Sequence, residues 1–455
     1  MITGRFPPDA SVGVLRSVKF CRYLPEFGWT PEVLAHKSRP EIDKIDPSSL
    51  RELSPDLVVH RTGHFDVLDW PYRFKARRRS GGNRSTPPPV DAAINDGSGA
   101  GPSARSWKAT LRSILLNAPD RMITWLPHAV ARGLGPAWKA DCIYSSIPPY
   151  TPHLAALVLH RLTGRPLVLD FRDPWGDDQR PDLSARQIQF HRTLEAACVR
   201  RAAVVIHATQ EARDAMIARF PDEPVDKFAT VYNGYDQAEM PPAEHRLVTS
   251  DPKQPLRLGY FGNLYGTRSP EYLFEALRLL REQDGIDERR IELHIVGGIT
   301  AHARQLVEEM KLDKVVRLVS RIPRAEALRQ MCQSGVLALI GAADMDQFCI
   351  ATKVYEYLAA GRPILALVPP GPILRLLEHC QAGHPVPPGD PVKIAAKLKE
   401  LLARHESTGL ALEPARNLDK FTRRHQTGEL AKLLEKARTQ GRRRRQDRQP
   451  NAGSR

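Results

Sequence analysis

The chain has no apolar run approaching eighteen residues, which excludes a helical membrane span. Its first ten residues, MITGRFPPDA, lack the apolar core of a secretory leader. Cysteine is scarce: six in 455 residues, at 21, 142, 198, 332, 349 and 380, with no C-x-x-C pair. That scatter excludes a zinc ribbon or a disulfide framework and fits reduced core thiols of a cytosolic protein. Aromatic residues make up only 7%, and none stands among the arginines of GRRRRQDRQ near the end of the chain. Without rings to stack on bases, that run argues against nucleic acid. Solvated disorder is its first reading and attraction to an anionic membrane its second.

What is present is an ordinary globular composition, 42% hydrophobic and 26% charged. At 455 residues two domains are expected. The net charge is +15, and residues 436–455 supply eight Lys/Arg against the single acid Asp447. The remaining body is still basic, which points to anionic partners such as phosphates or a membrane face.

From residue 141 onward short apolar runs alternate with helical patterns. CIYSS, PLVLDF, AVVIHAT and ATVYNG come first; LRLGYF, IELHIVG, VVRLVS, GVLALIG and PILALV follow residue 255. Such alternation predicts parallel sheets covered by helices on both faces. The Pro-rich stretch over 240–255 separates two such series. The expected architecture is α/β, with two doubly wound Rossmann-like domains facing across a cleft. The expected bounds are an acceptor domain over 1–245, with a disordered insertion over 75–105, and a second domain over 246–420. A closing helix over 421–437 returns to the first domain, and a basic disordered tail fills 438–455. After the insertion, Trp107, Leu111, Ile114 and Leu115 recur at helical spacing beside Lys108 and Arg112. An amphipathic core helix is preferred there to a membrane-surface one.

Three stretches carry candidate chemistry. In LGYFGNLYGTRSPEYLFEAL (258–277), Gly262, Asn263 and Gly266 follow a strand, and Ser269-Pro270 opens a helix as N-cap and first position. A glycine-rich corner at a helix N-terminus suits a phosphate, with Arg268 as its charge partner. The bland reading is an empty strand–helix turn. In KVYEYLAAGRPILAL (353–367), Lys353 and Glu356 stand one turn apart at the start of a helix that Gly361 ends. A carboxylate accepts from both hydroxyls of a ribose, and a lysine reaches a diphosphate. The bland reading is a solvated i,i+3 pair. In DFRDPW (170–175), Asp173 lies at a strand's carboxyl end, where it suits an acceptor hydroxyl, and Trp175 reads better as a plug than as a sugar platform. In SSIPPYTPHLAA (145–156), Thr151-Pro152 reads as N-cap and first helical position, and His153 as a surface group.

KVYEYLAAGRPILAL resembles the nucleotide-binding motif of the family 4 glycosyltransferases, which have the GT-B fold. YFGNLY…EYLFEAL, LHIVGG (293–298) and VYNGYD (231–236) resemble its second-domain motifs, in the same order. FPPDASVGVLRSVKFCRYLPEFGWTPEVL (6–34) resembles its N-terminal glycine loop, first helix and second strand, and DFRDPW a motif of bacterial members that build surface polysaccharides. The resemblance implies a nucleotide-diphosphate sugar donor, retention at the anomeric carbon, no required cofactor or metal, and a lipid-linked or polysaccharide acceptor. It implies that Glu356 holds the ribose, that Arg268 and Lys353 neutralise the diphosphate, and that Gly13, Gly262 and Asn263 lie along the donor. It implies a cytoplasmic protein, peripheral on an anionic membrane.

The chain departs from the family in three places. Phe348 stands where a second Glu is common, with Asp344 and Asp346 as nearby substitutes. Asn263 stands where Arg or Lys is usual. Only Met1-Ile2 precede the glycine loop as a first strand, so that strand is very short or the chain begins upstream. A nucleotide-sugar 2-epimerase of the same fold and a non-catalytic nucleotide-sugar-binding partner protein are the alternative readings.

Overall fold

A computed structural model describes residues 1–9, 13–38, 45–63, 119–173, 175–176, 183–246, 248–264, 268–342 and 346–446. The expected insertion over 75–105, the stretch from Trp107 to Leu115, Gly266, Asp344 and the last residues, 447–455, lie outside them.

The strands form two parallel sheets. In the first, β1 (Ile2–Thr3), β2 (Val33–His36), β3 (Val59–Thr62), β4 (Ile143–Ile147), β5 (Leu167–Phe171), β6 (Val204–His207) and β7 (Phe228–Thr230) run in the order 3-2-1-4-5-6-7. In the second, β8 (Leu256–Phe261), β9 (Ile291–Val296), β10 (Val316–Val319), β11 (Val336–Ile340), β12 (Ile364–Leu367) and β13 (His384–Val386) run in the order 10-9-8-11-12-13. Each order reverses once, between β1 and β4 and between β8 and β11. Those reversals are the switch points of doubly wound sheets.

The described helices are α1 (Val14–Tyr23), α2 (Leu126–Lys139), α3 (Thr151–Thr163), α4 (Ala185–Arg201), α5 (Gln210–Arg219), α6 (Glu271–Asp284), α7 (Ala301–Glu309), α8 (Arg324–Gln333), α9 (Thr352–Ala360), α10 (Pro372–His379), α11 (Pro391–Thr408) and α12 (Arg423–Gln446). The chain divides into two compact units, Met1–His207 with Met216–Thr230 and Thr427–Arg455, and Ala208–Ala215 with Val231–Gln426. Apart from the excursion at Ala208–Ala215, it crosses from the first to the second at 230/231, ahead of the Pro-rich stretch, and returns inside α12.

The second unit shows why continuous apolar strands read as parallel. Leu256, Leu258 and Tyr260 of β8 and Val336, Ala338 and Ile340 of β11 enter one core. Phe261, Leu337, Leu339, Ile364 and Ala366, on the opposite face, enter another. Successive side chains point to opposite faces, so a strand buried on both has no polar alternation. Each fully buried Leu or Ile contributes about 1.5–3 kcal/mol.

The first strand is very short, as one of the two sequence readings had it: Ile2 pairs with Leu34 on one side and Ser145 on the other. Two local expectations are corrected. The basic segment expected to be disordered from 438 is helical as far as Gln446. It is held to the first unit because Gly428 and Gly441 permit close approach to Phe27 and Pro166, while Arg438 lies 5.6 Å over the Trp29 ring. Finally, Thr151 does not cap α3. Asp120, distant in sequence, accepts from the Thr151 N–H and hydroxyl, each at 2.8 Å, and so caps it from outside.

Candidate active site

In the second unit Gly262, Asn263, Arg268, Lys353 and Glu356 all follow β8 or β11, the two strands that flank the switch point. Two backbone features shape the corner. Gly262 has φ +146 and Gly297 φ +142, a region side-chain-bearing residues rarely enter, and a Cβ on Gly297 would meet the Gly262 carbonyl at 2.2 Å. Asn263 ties the two loops together: its Oδ1 accepts from the Gly298 N–H at 3.0 Å, and its carbonyl accepts from the Tyr260 hydroxyl at 3.0 Å. Its side chain therefore acts first as a clasp, and its amide nitrogen remains for solvent or a ligand.

Lys353, the second residue of α9, lays its ammonium across this corner. Nζ stands 4.1 Å from the Tyr260 ring centroid and 3.2 Å from where a Cβ on Gly262 would lie. The nitrogen is shut from solvent and has no hydrogen-bond partner among the described residues. Burial, then the Arg268 cation, lower its pKa to about 7, against the pull of Asp346 and Glu356. An ammonium with three donors and no acceptor is a place that an anion completes.

Arg268 is buried, and its Nη2 donates to Asp346 Oδ1 at 2.9 Å. Asp346 Oδ2 accepts the Ala342 N–H at 2.7 Å. Burial pushes the Asp346 carboxyl above its ordinary value, although Arg268, the Ala342 N–H and Lys353 all pull it down. Asp346 thus serves to hold the arginine. The carbonyl of Phe348 accepts from the Thr209 hydroxyl at 2.6 Å. α9 begins without a side-chain cap, whereas at α6 Pro270, not Ser269, takes the N-cap position and the Ser269 hydroxyl accepts the Glu271 N–H at 3.3 Å. Arg423 steadies the start of α9 by donating to Thr352 Oγ1 at 3.2 Å and Asn233 Oδ1 at 3.4 Å, which gives the VYNGYD segment its role.

Glu356 is 4% exposed. Its Oε1 accepts from Arg324 Nη2 at 2.6 Å, so it does not form a solvated pair with Lys353. Arg324 escaped the sequence reading because RIPRAEAL carries no glycine or spacing signal.

In the first unit Gly13 and Asp173 lie on either side of Arg172. The Arg172 guanidinium donates to the carbonyls of Ile147 at 2.7 Å, of Pro148 at 2.5 Å, and of Gly13. Gly13 keeps ordinary helical dihedrals, so its requirement is space: a Cβ there would meet Arg172 Nη1 at 2.2 Å. Gly13→Ala is therefore expected to displace Arg172 and loosen the loops after β1 and β4. Hydrogen exchange at the Arg172 amide, which donates to the Ile147 carbonyl, should rise while the α11 amides stay unchanged. Asp173 is exposed.

Beneath them Asp170 is fully buried, with Arg16 donating to it in a fork at 2.9 and 3.0 Å and Tyr144 and Ser146 adding hydroxyls. Burial alone would raise that carboxyl; Arg16 and the hydroxyl bonds outweigh it and hold the pKa below the ordinary range. Trp175 is a plug, stacked on Tyr150 at 4.9 Å with Nε1 donating to His191. His153 is not a surface group: it is fully buried, 4.7 Å from the Phe171 ring, and burial lowers its pKa to about 3.

Among the described residues no helix is long and apolar enough to cross a membrane. Among the described residues Cys21, Cys142, Cys198, Cys332 and Cys380 form no disulfide.

Two parallel switch-point sheets, with a desolvated lysine and a paired arginine at the second, define a Rossmann-like α/β protein. Family models agree: residues 16–234 match the glycosyl transferase 4-like domain and residues 255–404 match glycosyl transferases group 1. The two matches span most of the chain, which belongs to the GT-B glycosyltransferases. Among solved structures it is similar to Anabaena HepE in complex with UDP-glucose (13% identity, 98% of this chain and 99% of that one, TM-score 0.55). Sucrose-phosphate synthase from Thermosynechococcus elongatus is similar over 98% of both chains (16% identity, TM-score 0.55). The lipopolysaccharide outer core galactosyltransferase WaaB is similar over 95% of this chain and 98% of its own (11% identity, TM-score 0.53). No curated protein sequence matches the chain.

Proposed function

We propose that this glycosyltransferase moves a sugar, with retention, from a nucleotide-diphosphate sugar to a lipid-linked or polysaccharide acceptor of a surface glycan. The observation that carries the donor half is the solvent-shut, unpartnered ammonium of Lys353 at the Gly262 corner, with Arg268 fixed nearby by Asp346. In this reading the diphosphate occupies that corner, and Glu356 accepts from the ribose hydroxyls. As the bond from the anomeric carbon to the phosphate oxygen breaks, negative charge grows on the leaving diphosphate. The two cations stabilise it without reorganising. Gly262 and Asn263 border the phosphates. The first unit takes the acceptor, with Gly13 in the loop over the sugar and Asp173 engaging the acceptor hydroxyl. UDP is the first base to try, because HepE is held with UDP-glucose. The resemblance of DFRDPW and the similarity to WaaB support a surface-glycan acceptor. The exposed Arg442 and Arg443 at the end of α12 support a peripheral place on an anionic membrane.

The test is nucleotide release on mixing candidate UDP-sugars with lipid-linked or glycan acceptors, followed by product mass and anomeric configuration. Release that depends on acceptor, with the donor's configuration kept, is expected. A second reading has a specific support, the similarity to a putative UDP-N-acetylglucosamine 2-epimerase from Listeria monocytogenes (10% identity, TM-score 0.52). Acceptor-independent epimerised sugar would establish it instead.

A further inference from the structure

Glu356 is not alone. Arg324, the first residue of α8, donates from Nη2 to Glu356 Oε1 at 2.6 Å and to Glu239 Oε2 at 2.9 Å, and from Nε to Glu239 Oε2 at 3.0 Å. Three elements far apart in sequence thus meet in one chain of charges. Glu239 ends the single 3-10 turn Gln237–Glu239, and Asp236 folds that turn by accepting the Ala238 N–H at 3.1 Å. Arg324 follows the loop after β10, and Glu356 stands on α9.

We propose that Arg324 is a positioning residue for nucleotide recognition: anchored on Glu239, it fixes the Glu356 carboxylate so that Oε2 is presented to the ribose diol. This rests on the reading of Glu356 as the ribose acceptor.

The geometry favours orientation over mere packing. The guanidinium spends Nε and Nη2 on Glu239, which fixes its plane, and the shared Nη2 then fixes Oε1 of Glu356. Among the described residues nothing hydrogen-bonds Oε2. Two carboxylates share one cation, so the triad keeps an excess of one negative charge, and the free oxygen stays a strong acceptor. Glu356 is 4% exposed and Arg324 37%, so the pair lies where a ligand arrives at its outer edge. A buried carboxylate without a fixed partner would rotate, and it would then hold a diol no better than a single hydroxyl.

The test compares UDP with 2′-deoxy-UDP by calorimetric titration on the full chain. Wild type is expected to prefer UDP by at least about tenfold, as a site built around a hydroxyl does, and Glu356→Gln to lose most of that preference. Arg324→Gln should bring the ratio within about twofold of the Glu356→Gln value, and the double variant should add nothing further. Arg324→Lys should restore part of the preference, since lysine offers a point charge without the planar fork. Glu239→Gln, which keeps the Arg324–Glu356 contact, should give an intermediate ratio and decides the matter if Arg324→Gln does not fold. A purely structural arginine would weaken both ligands equally. Full discrimination in Arg324→Gln or Glu239→Gln, with Glu356→Gln defective, overturns the positioning role alone. No discrimination in wild type, or none lost in Glu356→Gln, overturns the ribose reading and this inference with it.

Discussion

Lys353→Met lowers turnover by about 10²–10³-fold while leaving the folded protein as stable as wild type or more so. The rate loss is the usual cost of removing one preorganised charge from a developing anion. The stability result has a separate cause. Methionine keeps the apolar stem against Tyr260 and removes a nitrogen that has no hydrogen-bond partner among the described residues. Opposite signs for activity and stability mark a group kept for function.

The same lysine sets a pH dependence. Its folded pKa is about 7, against the ordinary 10.5 of a lysine. Below 7 both folded and unfolded chains carry the proton, and the burial penalty is fully present. Between 7 and 10.5 the unfolded chain holds a proton that the folded one has released, so stability rises with pH across that window. A bound diphosphate favours the charged form. UDP binding therefore takes up a proton above pH 7, and its affinity falls as pH climbs. Arg268, Asp346 and Glu356 are the charges that face the ammonium. Thermal midpoints and UDP titrations between pH 6 and 9.5 should show both slopes in wild type and neither in Lys353→Met.

Asp170→Ala has the largest stability effect, a loss of about 3–5 kcal/mol. It strands Arg16, which is 2% exposed, without its counter-charge, and it frees two hydroxyls. Urea unfolding measures the loss. Because the Asp170 pKa is depressed in the folded state, its contribution is complete above the ordinary carboxylate range. It fades as pH falls from that range toward the lower folded value, below which it is lost. Glu356 and Lys353 lie in the other unit, so UDP affinity of the folded variant should match wild type.

Sequence pattern located β4 to β12, the edge strands β7 and β10 among them, because each carries an apolar run. The edge strands β3 (VHRT) and β13 (HPV) carry no such run, being short and polar. In the site, Lys353, Glu356, Arg268 and the glycines were legible because turn and cap residues announce where a strand hands over to a helix. Arg324 and Glu239 were not. Their role exists only because the 3-10 turn at Gln237–Glu239 and the start of α8 meet at α9, and periodicity carries no information on such meetings. Asn263 is the intermediate case: its place at the corner was visible, but its clasp on Gly298 belongs to the neighbouring loop.

The most direct test of the account is thermal unfolding with UDP, GDP, TDP and CMP, on wild type and Glu356→Ala. A ligand at about 100 times its dissociation constant adds roughly 2.7 kcal/mol, enough to move the midpoint by several degrees. The account predicts a shift with a nucleotide diphosphate, UDP first, that disappears in Glu356→Ala. No shift with any of the four, or one that survives the substitution intact, would contradict it.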